Sequence, residues 1–281
     1  MHEHSPGSMA PAEAGCLRWP AKGQVRGMME LEICVDSVAS AAAAESGGAQ
    51  RVELCSGLIE GGLTPSLGLI RAVRSRIGIG VHVMIRPRGG DFFYSDEELA
   101  VMREDIALAA QSGVEGVVLG LLTTDGNVDV ERTRELVEFA RPMEVTFHRA
   151  FDMTRDVERS LEDVIATGAD RVLTSGGQQT AMLGCKRIRD LVEAADGRIG
   201  LMAGGGVRVE NVQQIAQATG ALEFHTALRN SIAPPATDEV QKVRLGDRGV
   251  DDYAGSVISS ADVRLLRQAM DAAFSRDQHS T

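Results

Sequence analysis

The sequence predicts one (β/α)8 barrel of the TIM type, and three observations carry that prediction. From Met29 onward, short β-branched runs alternate with amphipathic helical stretches, the pattern of βα units on a parallel sheet. Eight such runs occur, enough to close a barrel. The length of 281 residues suits this fold, since single barrels of the kind commonly take about 250 residues. A doubly wound open sheet is the second topology that the same alternation allows.

The strands are expected to begin near Leu31, Arg51, Gly80, Gly116, Glu144, Asp170, Arg198 and Ala221. In "LEICVDS", residues 31–37, Leu31, Ile33 and Val35 share one face, and Glu32, Cys34 and Asp36 share the other. "RVELCSG" repeats the device with Glu53 and Cys55. Between strands, "ESGGAQ", "QSGVE", "ATGAD" and "AADGR" put glycine where a helix ends in a left-handed cap before the next strand. Asp96, Asp129 and Asp156 stand where helix N-caps belong. After the eighth strand, "ALEFHTALR", residues 230–259 form an irregular cover segment that includes Pro234 and Pro235. "SADVRLLRQAMDAAF" supplies the last helix, so residues 29–281 make one barrel domain. Residues 1–28, rich in Gly, Pro, Ala and Ser, read as a disordered or over-extended leader whose His2 and His4 belong to a solvated tail.

Composition narrows the functional class. Hydrophobic residues make up 43% and charged residues 25%, the balance of a soluble globular chain with ample core. A net charge of -11 without any basic stretch excludes nucleic acid and anionic membranes as partners. Four cysteines in so long a chain do not make a disulfide scaffold, which points to a reducing compartment. With no apolar run able to serve as a signal core or membrane span, the expected location is the cytoplasm.

Barrel chemistry sits at the C-terminal ends of the strands. Those ends carry Glu32, Cys34 and Asp36; Glu53 and Cys55; His82, Met84, Arg86 and Arg88; Thr146, His148, Arg149 and Asp152; Thr174 and Ser175; and His225 and Arg229. So many ionisable groups on inward phases must pair or bind something. Ion pairs such as Glu32 with Arg86, or Glu53 with Arg149, would serve the barrel alone. Alternatively, His148 with Glu32 or Glu53 makes an acid/base set of the kind isomerases and lyases use. The glycines of "MAGGGVRVENV", with Ser175 of "TSGG" on the preceding loop, suggest an anion site at Ser175, Gly204, Gly205 and Gly206. A tight turn requiring positive φ explains the same glycines. The chain's three lysines, Lys22, Lys186 and Lys242, lie off the strands, which excludes Schiff-base chemistry. Neither a Gly-x-Ser-x-Gly elbow nor a His-Glu-x-x-His helix occurs. Cys34 and Cys55, with Met84 on the third strand, offer soft ligands suited to Cu(I), although a small thiol is also ordinary barrel filling.

"LEICVDS", "RVELCSGLIEGGLTPS", "VHVMIRPRGGDFFYSD", "VTFHRAFDMTRD", "RVLTSGG" and "MAGGGV" together resemble the successive motifs of the CutC family, named for a proposed role in copper homeostasis. The resemblance runs over residues 29–229 and implies a TIM-type barrel, a cytoplasmic location and a homo-oligomer, either homodimer or homotetramer. It also implies copper binding by Cys34 and Cys55. Two functions are therefore expected to compete. One is a cytosolic Cu(I)-binding protein acting through the two cysteines. The other is a barrel enzyme acting on a small phosphorylated or carboxylated metabolite, with Glu32, Glu53, Arg86, His148 and Asp152 catalytic and the Ser175 and Gly204 to Gly206 group holding the anion.

Overall fold

The computed structural model describes residues 29–232 and 255–277. The expected leader, and residues 233–254 of the expected cover segment, lie outside the described residues. Eight parallel strands close into a barrel in sequence order: β1 Glu30–Val35, β2 Arg51–Leu54, β3 Gly80–Met84, β4 Gly116–Leu119, β5 Glu144–Phe147, β6 Arg171–Thr174, β7 Gly200–Gly204 and β8 Glu223–Thr226. β8 pairs back onto β1, which rules out the open sheet. The helices are α1 Val38–Ser46, α2 Leu67–Arg76, α3 Asp96–Gln111, α4 Val130–Ala140, α5 Val157–Thr167, α6 Cys185–Ala195, α7 Val212–Thr219 and α8 Ser260–Asp277. A small antiparallel pair, β9 Arg229–Ile232 with β10 Gly255–Ile258, follows β8.

Period-two alternation decides what each face holds. Leu31, Ile33 and Val35 are fully buried in the large apolar layer between barrel and helices. Cys34, Cys55, Met84 and Val118 form a separate, small apolar group. The helices start where side chains can take up their orphan amides. Asp129 and Asp156 cap α4 and α5 by accepting the amides of Arg132 and Arg159. α3 is capped one residue earlier than expected. Ser95 accepts the Glu98 amide while the Glu98 carboxylate accepts the Ser95 amide, a reciprocal box that leaves Asp96 as the first helical residue.

Near the strand starts, an ion-pair network takes the place of the usual branched aliphatics. Arg51 donates to Glu32 at 2.5 Å, Glu223 at 2.9 Å and Glu30 at 3.0 Å. Arg171 pairs with Glu223 and, at 3.2 Å, with Glu144. This charged floor ties β1, β2, β5, β6 and β8 together. Among the described residues, no helix is long and apolar enough to cross a membrane.

Candidate functional site

The two thiols meet inside the barrel, although not at equal heights. Register places Cys34 opposite Glu53, so Cys55 stands two residues past that partner and just beyond the end of β2, its amide donating to the Val35 carbonyl at 2.9 Å. Strand stagger still brings the sulfur atoms to 3.9 Å. The Cys55 thiol also faces Glu53 Oε2 at 3.5 Å, and Cys34, Glu53 and Cys55 present ligand atoms all within 4.8 Å of one another. Gly62 closes over this group: a Cβ there would lie 3.1 Å from Cys55 Sγ and 3.4 Å from Met84 Cε, and its φ of +98° also favours glycine. For Cys34, the contact with Cys55 favours the thiolate, but burial and the Glu53 charge outweigh it and leave the thiol raised. Cys55 is pushed well above the usual thiol range by its contact with Cys34 and by burial. Both are protonated at neutral pH until something displaces the protons.

Below the thiols lies a second cluster. His225 Nδ1 is 2.7 Å from Glu32 Oε1, and its Nε2 is 3.8 Å from Glu53 Oε2. Burial works to raise the Glu32 carboxyl, but Arg51 and His225 hold it well below the usual range. Burial likewise opposes protonation of His225, and the Glu53 and Glu32 carboxylates overcome it and raise the imidazole. Glu53 itself is raised, first by burial. The pairs Glu32–Arg86 and Glu53–Arg149 do not form. Register sets Arg51 beside Glu32, whereas Arg86 lies beyond the end of β3 and is held by loop carbonyls.

Arg86 donates to the carbonyls of Glu60 at 2.6 Å, Gly62 at 3.0 Å and Gly90 at 2.9 Å, joining the loops that follow β2 and β3. His148 follows β5 and packs against Phe92, with ring centroids 4.8 Å apart. Its Nδ1 accepts the Ala150 amide at 3.2 Å. Burial, helped by the positive Arg86, lowers this imidazole to about 3. His148 is therefore held as the neutral imidazole near pH 7.

Asp152 has a different place. Its carboxylate accepts from Thr174 Oγ1 at 2.5 Å, from the Ser175 and Gly177 amides at 3.0 Å, from Ser175 Oγ at 2.9 Å and from Arg149 Nε at 2.8 Å. A side chain of the protein thus fills the donor-rich turn after β6. Gly204 ends β7 in close contact with its neighbours; a Cβ there would lie 2.4 Å from Leu173 Cδ1. Gly205 and Gly206 take φ of +94° and +72°, so the turn reading accounts for both.

Cys34, Glu53, Met84, Arg86, His148, Arg149 and His225 line one cavity of about 190 Å3 at the barrel mouth. A wider depression of about 720 Å3 beside α3 lies outside the barrel, and its arginines are already paired, Arg88 with Glu98 and Arg132 with Asp96, each at 2.5 Å. The mouth is the better candidate. The chain matches the CutC family over residues 29–230. It belongs to that family. It is 51% identical over 237 residues to the human copper homeostasis protein cutC homolog, a match covering 84% of this chain and 87% of the relative. A CutC family protein of Chromobacterium violaceum is 50% identical over 243 residues, covering 86% and 98%. The crystal structure of the CutC protein of Streptococcus agalactiae superposes with a TM-score of 0.68 at 38% identity, covering 70% of this chain and 98% of that one.

For this member of the family, sequence reasoning missed the structural use of Arg51, Arg171, Glu144 and Glu223. A signal was available: in "RVEL", "RVLT", "EVTF" and "EFHT" a charge opens each strand on the same phase as the inward residues.

Proposed function

We propose that this CutC family protein binds Cu(I) in the cytosol through Cys34 and Cys55 and so contributes to copper homeostasis. One observation carries the reading: two buried thiols stand 3.9 Å apart in a small apolar group with Met84 and Val118. Soft sulfur donors in a dry setting select a soft monovalent ion over Mg²⁺ or Ca²⁺. Glu53, 3.5 Å from the Cys55 sulfur, is placed to take up a proton that a thiol must release on binding. The cytosolic setting is supported by Cys34, Cys55 and Cys185, which are all free thiols. The names of the curated relatives support the physiological role, since the human and mouse proteins carry copper homeostasis in theirs.

A competition titration against a chromogenic Cu(I) chelator tests this. Wild type should compete, the Cys34→Ser/Cys55→Ser double variant should lose tight binding, and Cys185→Ser should match wild type. Unchanged affinity in the double variant would overturn the assignment.

A further inference from the structure

The mouth of the barrel is built for more than a cation. Arg86, Arg149 and Arg229 line the cavity together with His225. A monovalent cation held by two sulfurs gains nothing from three guanidinium groups around its entrance, whereas an anion does. Among the residues that line this cavity, the buried atoms His148 Nε2, Arg86 Nε and Glu53 Oε1 make no hydrogen bond of good geometry. Each belongs to a residue only 4% exposed. Buried polar groups are nearly always bonded; Arg86 has the Tyr94 hydroxyl and Glu53 the Cys34 thiol beside it, which leaves the His148 ring nitrogen as the group in want of a partner.

His148 identifies what a ligand here must offer. Its Nδ1 already accepts the Ala150 amide, so the proton of the neutral ring sits on Nε2. The free atom is thus a donor, and a neutral imidazole donor suits a carbonyl or hydroxyl oxygen. Phosphate fits less well. The amides of Ser175 and Gly177, the donors a phosphate would use after β6, are engaged by Asp152. Arg149 spends Nε on Asp152 and Nη2 on Ser175 Oγ, while its Nη1 makes no bond among the described residues. The cavity, about 190 Å3, lies below the roughly 300–1,000 Å3 typical of drug-sized ligands and limits the guest to a few carbons.

We propose that the barrel mouth binds a small carboxylate carrying a carbonyl or hydroxyl oxygen on the adjacent carbon, its carboxylate facing Arg149 and Arg229 and its second oxygen accepting from His148 Nε2. This site adjoins the thiols and is independent of the copper reading. His148 acts in it as a binding residue.

Full-length protein, kept reduced and stripped of metal with a chelator, tests the proposal by calorimetry and thermal shift. The probes are pyruvate and glycolate, with acetate lacking the second oxygen and inorganic phosphate as the rival anion. Pyruvate or glycolate should bind saturably with a Kd of about 1 mM or tighter, and acetate and phosphate should bind about tenfold more weakly, the loss expected from one unmade hydrogen bond. His148→Phe, which keeps a ring against Phe92 but has no donor, should remove the preference for pyruvate over acetate. If that variant does not fold, long-range 15N spectra of histidine-labelled wild type decide: the His148 Nε2 signal should move on adding pyruvate. No binding of pyruvate or glycolate, equal binding of acetate or phosphate, or an unmoved His148 signal would overturn the proposal. A Cu(I) competition titration on His148→Phe separates the two readings, because intact copper binding with lost discrimination is expected here and would leave the copper assignment standing.

Discussion

Single residues at the mouth are constrained by contact rather than by conformation alone. Gly120 shows this: a Cβ there would lie 2.5 Å from His148 Nδ1, 2.6 Å from its Cε1 and 3.2 Å from the Ala150 side chain. His148 is boxed on its other side by Phe92, so it has no easy retreat. Gly120→Ala should destabilise the protein by about 1–3 kcal/mol, the ordinary cost of forcing extra volume into a packed site. Urea denaturation measures it, and a change within a few tenths of a kcal/mol would show that the ring moves freely. The same variant should lose the hydrogen bond between Ala150 and Nδ1, which histidine 15N spectra would register as a change of tautomer.

Elements were the most legible level in the sequence, and their cross-barrel pairing the least. The expected strand starts fall within two residues of the observed ones, because β-branched runs and glycine stops are local signals. The cap of α3 shifted by one since Ser95 and Asp96 are both competent caps, and only the reciprocal Glu98 contact chooses between them. Partners across strands depend on stagger, which no strand states in its own residues. That is why Glu32 meets Arg51 and His225 rather than Arg86, and why Cys34 lies opposite Glu53 rather than Cys55. The site was legible as a set of inward residues but not as an arrangement: the sulfurs do converge, while Asp152 is committed to the turn after β6. One prediction belongs to this scale. Arg51 joins β1, β2 and β8 through Glu30, Glu32 and Glu223. Arg51→Met keeps the stem but strands the carboxylates, so unfolding free energy should fall by about 3–5 kcal/mol, the usual penalty for breaking a buried pair from one side. A double variant, Arg51→Met with Glu32→Gln, should recover part of the loss. Equal stability of Arg51→Met and wild type would show that the floor contributes nothing.

For the whole molecule, buried imidazoles make folding depend on pH in a direction that can be worked out. His82 is held well below its ordinary range, first by burial and then by Arg51 and Arg171, and His148 is lowered to about 3. As pH falls below 6.5, the unfolded chain takes a proton on each of these rings before the folded chain does; for His148 this window runs down to about 3. Acid therefore favours the unfolded state: the stability these neutral histidines maintain is fully present above pH 6.5 and declines as pH falls. His148 contributes a slope of up to about 1.4 kcal/mol per pH unit in its window, and His82 adds to it in the same direction. His225 has the opposite shift, raised by Glu53 and Glu32, so below pH 6.5 it is protonated in both states and adds no slope; its contribution is lost only as pH rises through its folded value. Raised carboxyls such as Glu53 and Glu30 take up protons in the folded state first and blunt the total. The difference between wild type and His148→Gln removes those shared contributions. From pH 6.5 to 4.5 the stability advantage of wild type over that variant should shrink by about 1.4 kcal/mol per unit, since glutamine does not titrate. Chemical denaturation at four pH values measures the difference. A constant gap would mean that His148 charges in the folded protein, which would remove the acid sensitivity assigned to it and break the Nδ1 contact with the Ala150 amide.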